Sequence, residues 1–102
     1  MENMAIDNMS KDEKSLLLYL ESRVVDNGGQ VDTRHMNAED RKIASRWRDC
    51  GFICYGRIPF IMIKNNSTHF VILSNKAWLL ASECRKARGL RSEKALREAL
   101  EI

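Results

Sequence analysis

The chain has 102 residues, of which 44% are hydrophobic and 30% charged, with one proline, five glycines and a formal net charge of +3. That is one domain's worth of an ordinary globular composition, which excludes a disordered tail or a disulfide scaffold. No apolar run approaches the roughly 18 residues of a membrane span. The opening MENMAIDNMSKDEK is acidic and polar, so no secretory signal is expected either. The charge is unevenly spread. Residues 1–40 carry 4 Lys/Arg against 9 Asp/Glu, a balance of −5, whereas residues 41–102 carry 13 against 5, a balance of +8. A basic segment of this kind attracts polyanions through counterion release, or is simply a set of solvated helix faces.

Residues 1–9 read as a flexible leader. Ser10-Lys11-Asp12-Glu13 has the form of a capping box that opens a helix. Leu16, Leu17, Leu20 and Val24 recur on one arc of it, and Gly28-Gly29 stops it. Gln30 to His35 suits a short strand. A second helix starts at Asn37, with Asp40 three positions on, and places Ile43, Trp47 and Cys50 on its core stripe. Its opposite side carries Arg41, Ser45 and Arg48, flanked by Lys42, and Gly51 ends it.

Phe52 to Ile63 reads as extended chain interrupted by Gly56 and Pro59. Asn65-Asn66-Ser67 makes a turn, and Thr68 to Leu73 a second strand, so the two form a hairpin. Both faces of that hairpin are apolar, Phe60 and Met62 on one and Ile61 and Ile63 on the other. A cover is therefore expected on the second face, from the C-terminal helices or another copy. Ser74 caps a helix running to Arg88, Gly89 closes it, and Ser92 opens a last short helix with Leu96, Ala99 and Leu100. The expected architecture is α+β, with helices packed on a small antiparallel hairpin sheet. It divides into the leader, a domain over 10–89 and a C-terminal helix over 90–102 suited to self-association.

The order of elements resembles a winged-helix DNA-binding domain of the small phage or prokaryotic regulator type. The likeness rests on RKIASRWRDCGFI (Arg41 to Ile53) and FVILSNKAWLLA (Phe70 to Ala81). It implies that the helix Asn37 to Cys50 reads the major groove, with Arg41, Lys42, Ser45 and Arg48 facing DNA. Lys64, Asn65, Asn66, Ser67 and His69 would then form the wing tip, touching the backbone. In one respect the chain departs from the family. Residues 30–50 between the two glycine stops hold one full helix and a single turn at 33–36, where the family places two helices. That leaves open a protein-interaction module of the same shape without DNA binding. The cluster Arg85, Lys86, Arg88 and Arg91 is either a phosphate-contacting patch or a solvated helix end.

Catalytic and metal chemistry finds little support. Cys50 and Cys54 give C-x3-C, but Cys84 stands alone and His35 and His69 are far apart, unlike the two close pairs of a compact zinc site. Cys54 and His69 could meet across the hairpin, with no motif to orient them. Gly28-Gly29 lacks the lysine of a phosphate loop, and the sequons at Asn65 and Asn66 matter only to a secreted chain. Three cysteines without a signal point to a reducing compartment. Trp47 and Trp78 could stack on bases, but Trp47 shares the core stripe of Ile43, while Trp78 sits on a flank. The expectation is a cytoplasmic, non-enzymatic, cofactor-free transcriptional regulator that binds double-stranded DNA as a dimer, paired through the hairpin face or the C-terminal helix.

Overall fold

A computed structural model describes residues 5–59 and 67–100, apart from the side chain of Ile6. Among these residues three α-helices pack on a three-stranded antiparallel sheet, an α+β fold. The first helix, α1 (Lys11–Asn27), begins at the expected capping box. The Glu13 N–H donates to Ser10 Oγ at 3.1 Å, and the Ser10 N–H donates to Glu13 Oε1 at 2.8 Å. Its leucines Leu16, Leu17, Leu18 and Leu20 are buried and form the centre of the core. The described part of the expected leader is not free chain. Ile6–Asn8 form a 3-10 turn, and Met9 is buried in the core.

After α1 the chain enters β1 (Gln30–Val31) through Gly29, whose φ is +84° and whose carbonyl accepts the Val71 N–H at 2.8 Å. A Cβ at this position would stand 2.8 Å from the Val71 carbonyl oxygen. Glycine is therefore required twice over, by the left-handed backbone and by the close approach. Gly29→Ala is expected to cost about 2–3 kcal/mol, a fall in Tm of roughly 10–20 °C in thermal denaturation.

A 3-10 turn at Thr33–His35 joins β1 to α2 (Ala38–Asp49). Asp32 caps the turn, accepting from the Arg34 N–H at 3.0 Å and from Arg34 Nη2 at 2.8 Å. These hydrogen bonds, from the Arg34 side chain first and its backbone next, hold the Asp32 carboxyl at about 2 rather than its ordinary 3.8. A depressed carboxyl stabilises the fold above its unfolded value, and the contribution is lost as pH falls through the folded value. The stability difference between wild type and Asp32→Asn should thus shrink between about pH 4 and pH 2, read from Tm against pH.

A second capping box starts α2. Asn37 Oδ1 accepts the Asp40 N–H at 2.8 Å, and Asp40 Oδ2 accepts the Asn37 N–H at 3.2 Å. The helix buries Ile43, Ala44 and Trp47. It ends in a Schellman turn: the Phe52 N–H donates to Trp47 O at 2.9 Å and the Gly51 N–H to Arg48 O at 3.2 Å, with Gly51 at φ +80°. The accompanying apolar contact is an edge-on pairing of Phe52 with Trp47, centroids 5.1 Å apart. This turn aims the chain straight into β2 (Ile53–Arg57).

β2 pairs with β3 (His69–Leu73) in the register Ile53↔Leu73, Tyr55↔Val71 and Arg57↔His69, and β1 pairs with the other edge of β3. The sheet order is β1-β3-β2. Val31, Ile53, Val71 and Leu73 are buried beneath the helices. On the outer face of β2 and β3, Cys54 and Ile72 are exposed while Gly56 and Phe70 are half-buried. The expected strand residues Phe60 to Ile63 lie outside the described residues.

Ser74 Oγ accepts the Ala77 N–H at 3.1 Å and opens α3 (Asn75–Leu100), which buries Ala77, Leu80, Ala81 and Cys84. Here the sequence reading is corrected. One helix of 26 residues runs through Gly89, where a stop and a second helix were expected. Positive φ occurs at Gly28, Gly29 and Gly51 but not at Gly89. Flanked by Ala87, Arg88, Leu90 and Arg91, a single glycine costs only about 1 kcal/mol relative to alanine and does not break the helix. At 1.5 Å per residue α3 is about 39 Å long, which accounts for the elongated shape of 55 × 33 × 24 Å.

Candidate nucleic-acid interface

Burial of Ile43, Ala44 and Trp47 turns the opposite side of α2 toward solvent beside the hairpin. Between them lies a cleft of about 420 Å³ lined by Thr33, Arg41, Ser45, Arg48, Tyr55, Gly56, Arg57 and His69. Three guanidinium groups, from two different elements, face this one concavity. Arg41 Nη2 donates to the Met36 carbonyl at 3.0 Å, which anchors the side chain and leaves most of its five donors for a ligand. Arg48 is half exposed and lies 3.3 Å from Asp49 Oδ1, a surface pair of little energetic weight that a phosphate can displace.

The floor is aromatic. Tyr55 and His69 stack with centroids 5.4 Å apart and planes at 18°, and His69 Nδ1 lies 2.8 Å from Thr68 Oγ1. Burial raises the Tyr55 pKa above its ordinary value, opposed by the charges of Arg41 and Arg48. Both guanidiniums are thus close enough to act on the phenol. Burial, and then Arg57, lowers the His69 pKa, so the imidazole is neutral at pH 7 and the cleft's positive charge comes from arginine.

Of the residues expected to face DNA, Arg41, Ser45 and Arg48 come together in this cleft. Lys42 is exposed on α2 and does not line it. Lys64, Asn65 and Asn66 lie outside the described residues. Two members of the expected wing tip are placed elsewhere. Ser67 is 2% exposed and sits 3.5 Å from Arg23 Nη2, and His69 belongs to β3 and to the cleft floor. Arg57, Tyr55 and Thr33 were missed by the sequence reading. The signal for two of them was the period of two in β2, which sends Ile53, Tyr55 and Arg57 to one face.

The cluster on α3 does not join this cleft. Arg85 forks onto Glu21 Oε1 through Nε at 2.7 Å and through Nη2, compensating a carboxylate that is only 8% exposed. Removing Arg85 would strand that charge, so the residue is tied into the fold. Arg88 donates to Ser15 Oγ at 3.3 Å and lines a separate groove with Lys11, Lys14 and Arg91. Lys86 is exposed.

No family model, curated protein or solved structure matches this chain. Among the described residues no three His, Cys, Asp or Glu side chains are grouped to hold a metal ion. Cys54 and His69 project from opposite faces of the hairpin, so they do not form a pair. Trp47, 1% exposed, belongs to the core, whereas Trp78 is 37% exposed. Among the described residues no helix is long and apolar enough to cross a membrane.

Proposed function

We propose that the protein is a small winged-helix-like regulator of transcription that grips the phosphate backbone of duplex DNA in the cleft between α2 and the hairpin, without catalysing a reaction. The observation that carries this reading is the convergence of Arg41, Arg48 and Arg57 on one concave face with no carboxylate among its lining residues. Guanidinium groups suit phosphate because their planar fork offers paired donors. Further support comes from the succession helix, strand, turn, helix, hairpin and helix, with the basic helix α2 set beside the hairpin.

Fluorescence anisotropy with a random duplex tests it. Three phosphates neutralised give a salt slope of about −2.7, hence a fall in affinity of about 40-fold between roughly 50 and 200 mM salt. Absence of binding at the lower salt would overturn the reading. A second reading is favoured by the three-residue turn Thr33–His35, where the winged-helix pattern calls for a full helix. In it the shape is kept and the surface binds a protein, with an affinity that salt leaves unchanged.

A further inference from the structure

The outward face of α3 carries five large apolar side chains that the described residues leave exposed in whole or in part: Trp78 is 37% exposed, Leu79 65%, Leu90 54%, Leu96 58% and Leu100 60%. At 3.6 residues per turn they fall within an arc of about 120°. That arc is diametrically opposite the buried Ala77, Leu80, Ala81 and Cys84. The helix is thus apolar on two faces, and only one is covered. Ser82, Lys86, Gly89, Glu93 and Arg97 share this arc and divide its apolar side chains into two clusters, at 78–79 and at 90–100. Exposed apolar clusters of this kind on one side of a helix mark an interaction surface.

The charges along the stripe identify the occupant. Glu83, Lys86, Glu93 and Arg97 lie on or beside the arc, and they are arranged head to tail. When two copies of α3 run antiparallel about an axis between Gly89 and Leu90, Lys86 meets Glu93 of the second copy and Leu79 meets Leu100 of the second copy. The two-fold axis repeats each match. Glu83 falls within one position of Arg97 of the second copy. A parallel pair would instead set Lys86 against Lys86 and Arg97 against Arg97, which is repulsive.

Gly89 fits the same arrangement. It interrupts a strong helix former's stretch, and within its own chain a Cβ there would meet nothing within 4 Å. Its lack of a side chain serves no packing inside the monomer. At the crossing point of two helices it permits close approach, because interaxial distance is set by the side chains at the contact.

We infer that α3 is the dimer interface of this protein, an antiparallel pair of α3 helices from two copies crossing at Gly89. The inference does not rest on the DNA reading, since the cleft between α2 and the hairpin shares no residue with the stripe. Arg88 and Arg91 point to the other side of α3, into the groove with Lys11 and Lys14, and stay available in the dimer.

Sedimentation equilibrium of the full chain over about 1–100 μM is expected to show reversible association to twice the chain mass. Leu90→Glu with Leu96→Glu should raise the dissociation constant about 100-fold or more, since two charges would be buried in each half of the seam. Circular dichroism should stay unchanged in that variant, because both positions are exposed in the monomer. Lys86→Glu alone and Glu93→Lys alone should each weaken the dimer about tenfold, and the double exchange should restore it. A wild-type monomer at 100 μM overturns the inference. So does a dimer indifferent to the leucine changes, or a double exchange that fails to recover.

Discussion

Alanine at Arg41, Arg48 and Arg57 together is expected to lower affinity for a random duplex about 100-fold at low salt and to flatten the salt slope by about 2.7. The size follows from the count of guanidiniums in the cleft, each releasing about one counterion when it neutralises a phosphate. Stability should hardly change. Arg41, Arg48 and Arg57 are exposed, and the single bond from Arg41 to the Met36 carbonyl is worth about 1 kcal/mol. Lys42→Ala provides the comparison. It removes the same charge from the same helix outside the cleft, so its effect should be several-fold smaller than that of Arg41→Ala. If the folded triple variant binds as tightly as wild type, the cleft is not the interface. Equal losses from Lys42→Ala and Arg41→Ala would instead indicate a diffuse electrostatic surface, with no role for the shape of the cleft.

Where local chemistry alone determines structure, the sequence was readable. Ser10-x-x-Glu13 and Asn37-x-x-Asp40 announce both helix starts, because each cap bonds only residues three apart. Gly28 and Gly51 announce two helix ends, since the left-handed residue they supply is needed on the spot. The stripe of Ile43 and Trp47 settled which side of α2 is buried, and so which side carries Arg41 and Arg48. Gly89 was misread for a related reason. A glycine is a stop only when the chain takes the left-handed turn there, and neighbours of high helix propensity overrode it. The same residue type that ends α2 after Cys50 therefore leaves α3 intact.

Half of the cleft is assembled by tertiary placement, which periodicity along one strand does not supply. Arg57 lies beside Gly56 and Pro59, a stretch that reads as interrupted chain; the period of two puts it on the face of Ile53 and Tyr55, but only the folded sheet, where it pairs with His69, sets that face against α2. The winged-helix resemblance puts His69 in the wing tip. In the sheet it is the first residue of β3 and stacks on Tyr55. Arg85 was grouped with Lys86 and Arg88 by adjacency. The helical period separates them: Arg85 reaches Glu21 on α1, 64 positions earlier in sequence, while Lys86 points outward. A run of like charges on a helix is in this way divided among three different surroundings.

Trp47→Ala is expected to be the most destabilising single change, at about 3–5 kcal/mol, or a loss of roughly 15–30 °C in Tm. The indole is 1% exposed at the junction of α1, α2 and the sheet, and its ring closes the Schellman turn by its edge-on contact with Phe52. Removing it opens a cavity and frees the turn that aims β2. Because a domain of this size has only about 5–15 kcal/mol in total, the variant should be close to unfolding at 37 °C. Trp47→Phe separates packing from base stacking. It keeps an aromatic ring at the contact with Phe52 and removes an indole N–H that is buried without a partner among the described residues. Relief of that unmet donor, about 1–3 kcal/mol, offsets part of the lost area, so the net cost should stay near 1 kcal/mol. Such a variant should bind duplex DNA as wild type does. A stacking tryptophan would show the reverse pattern, with stability kept and affinity lost, and a result of that kind would return Trp47 from the core to the binding surface.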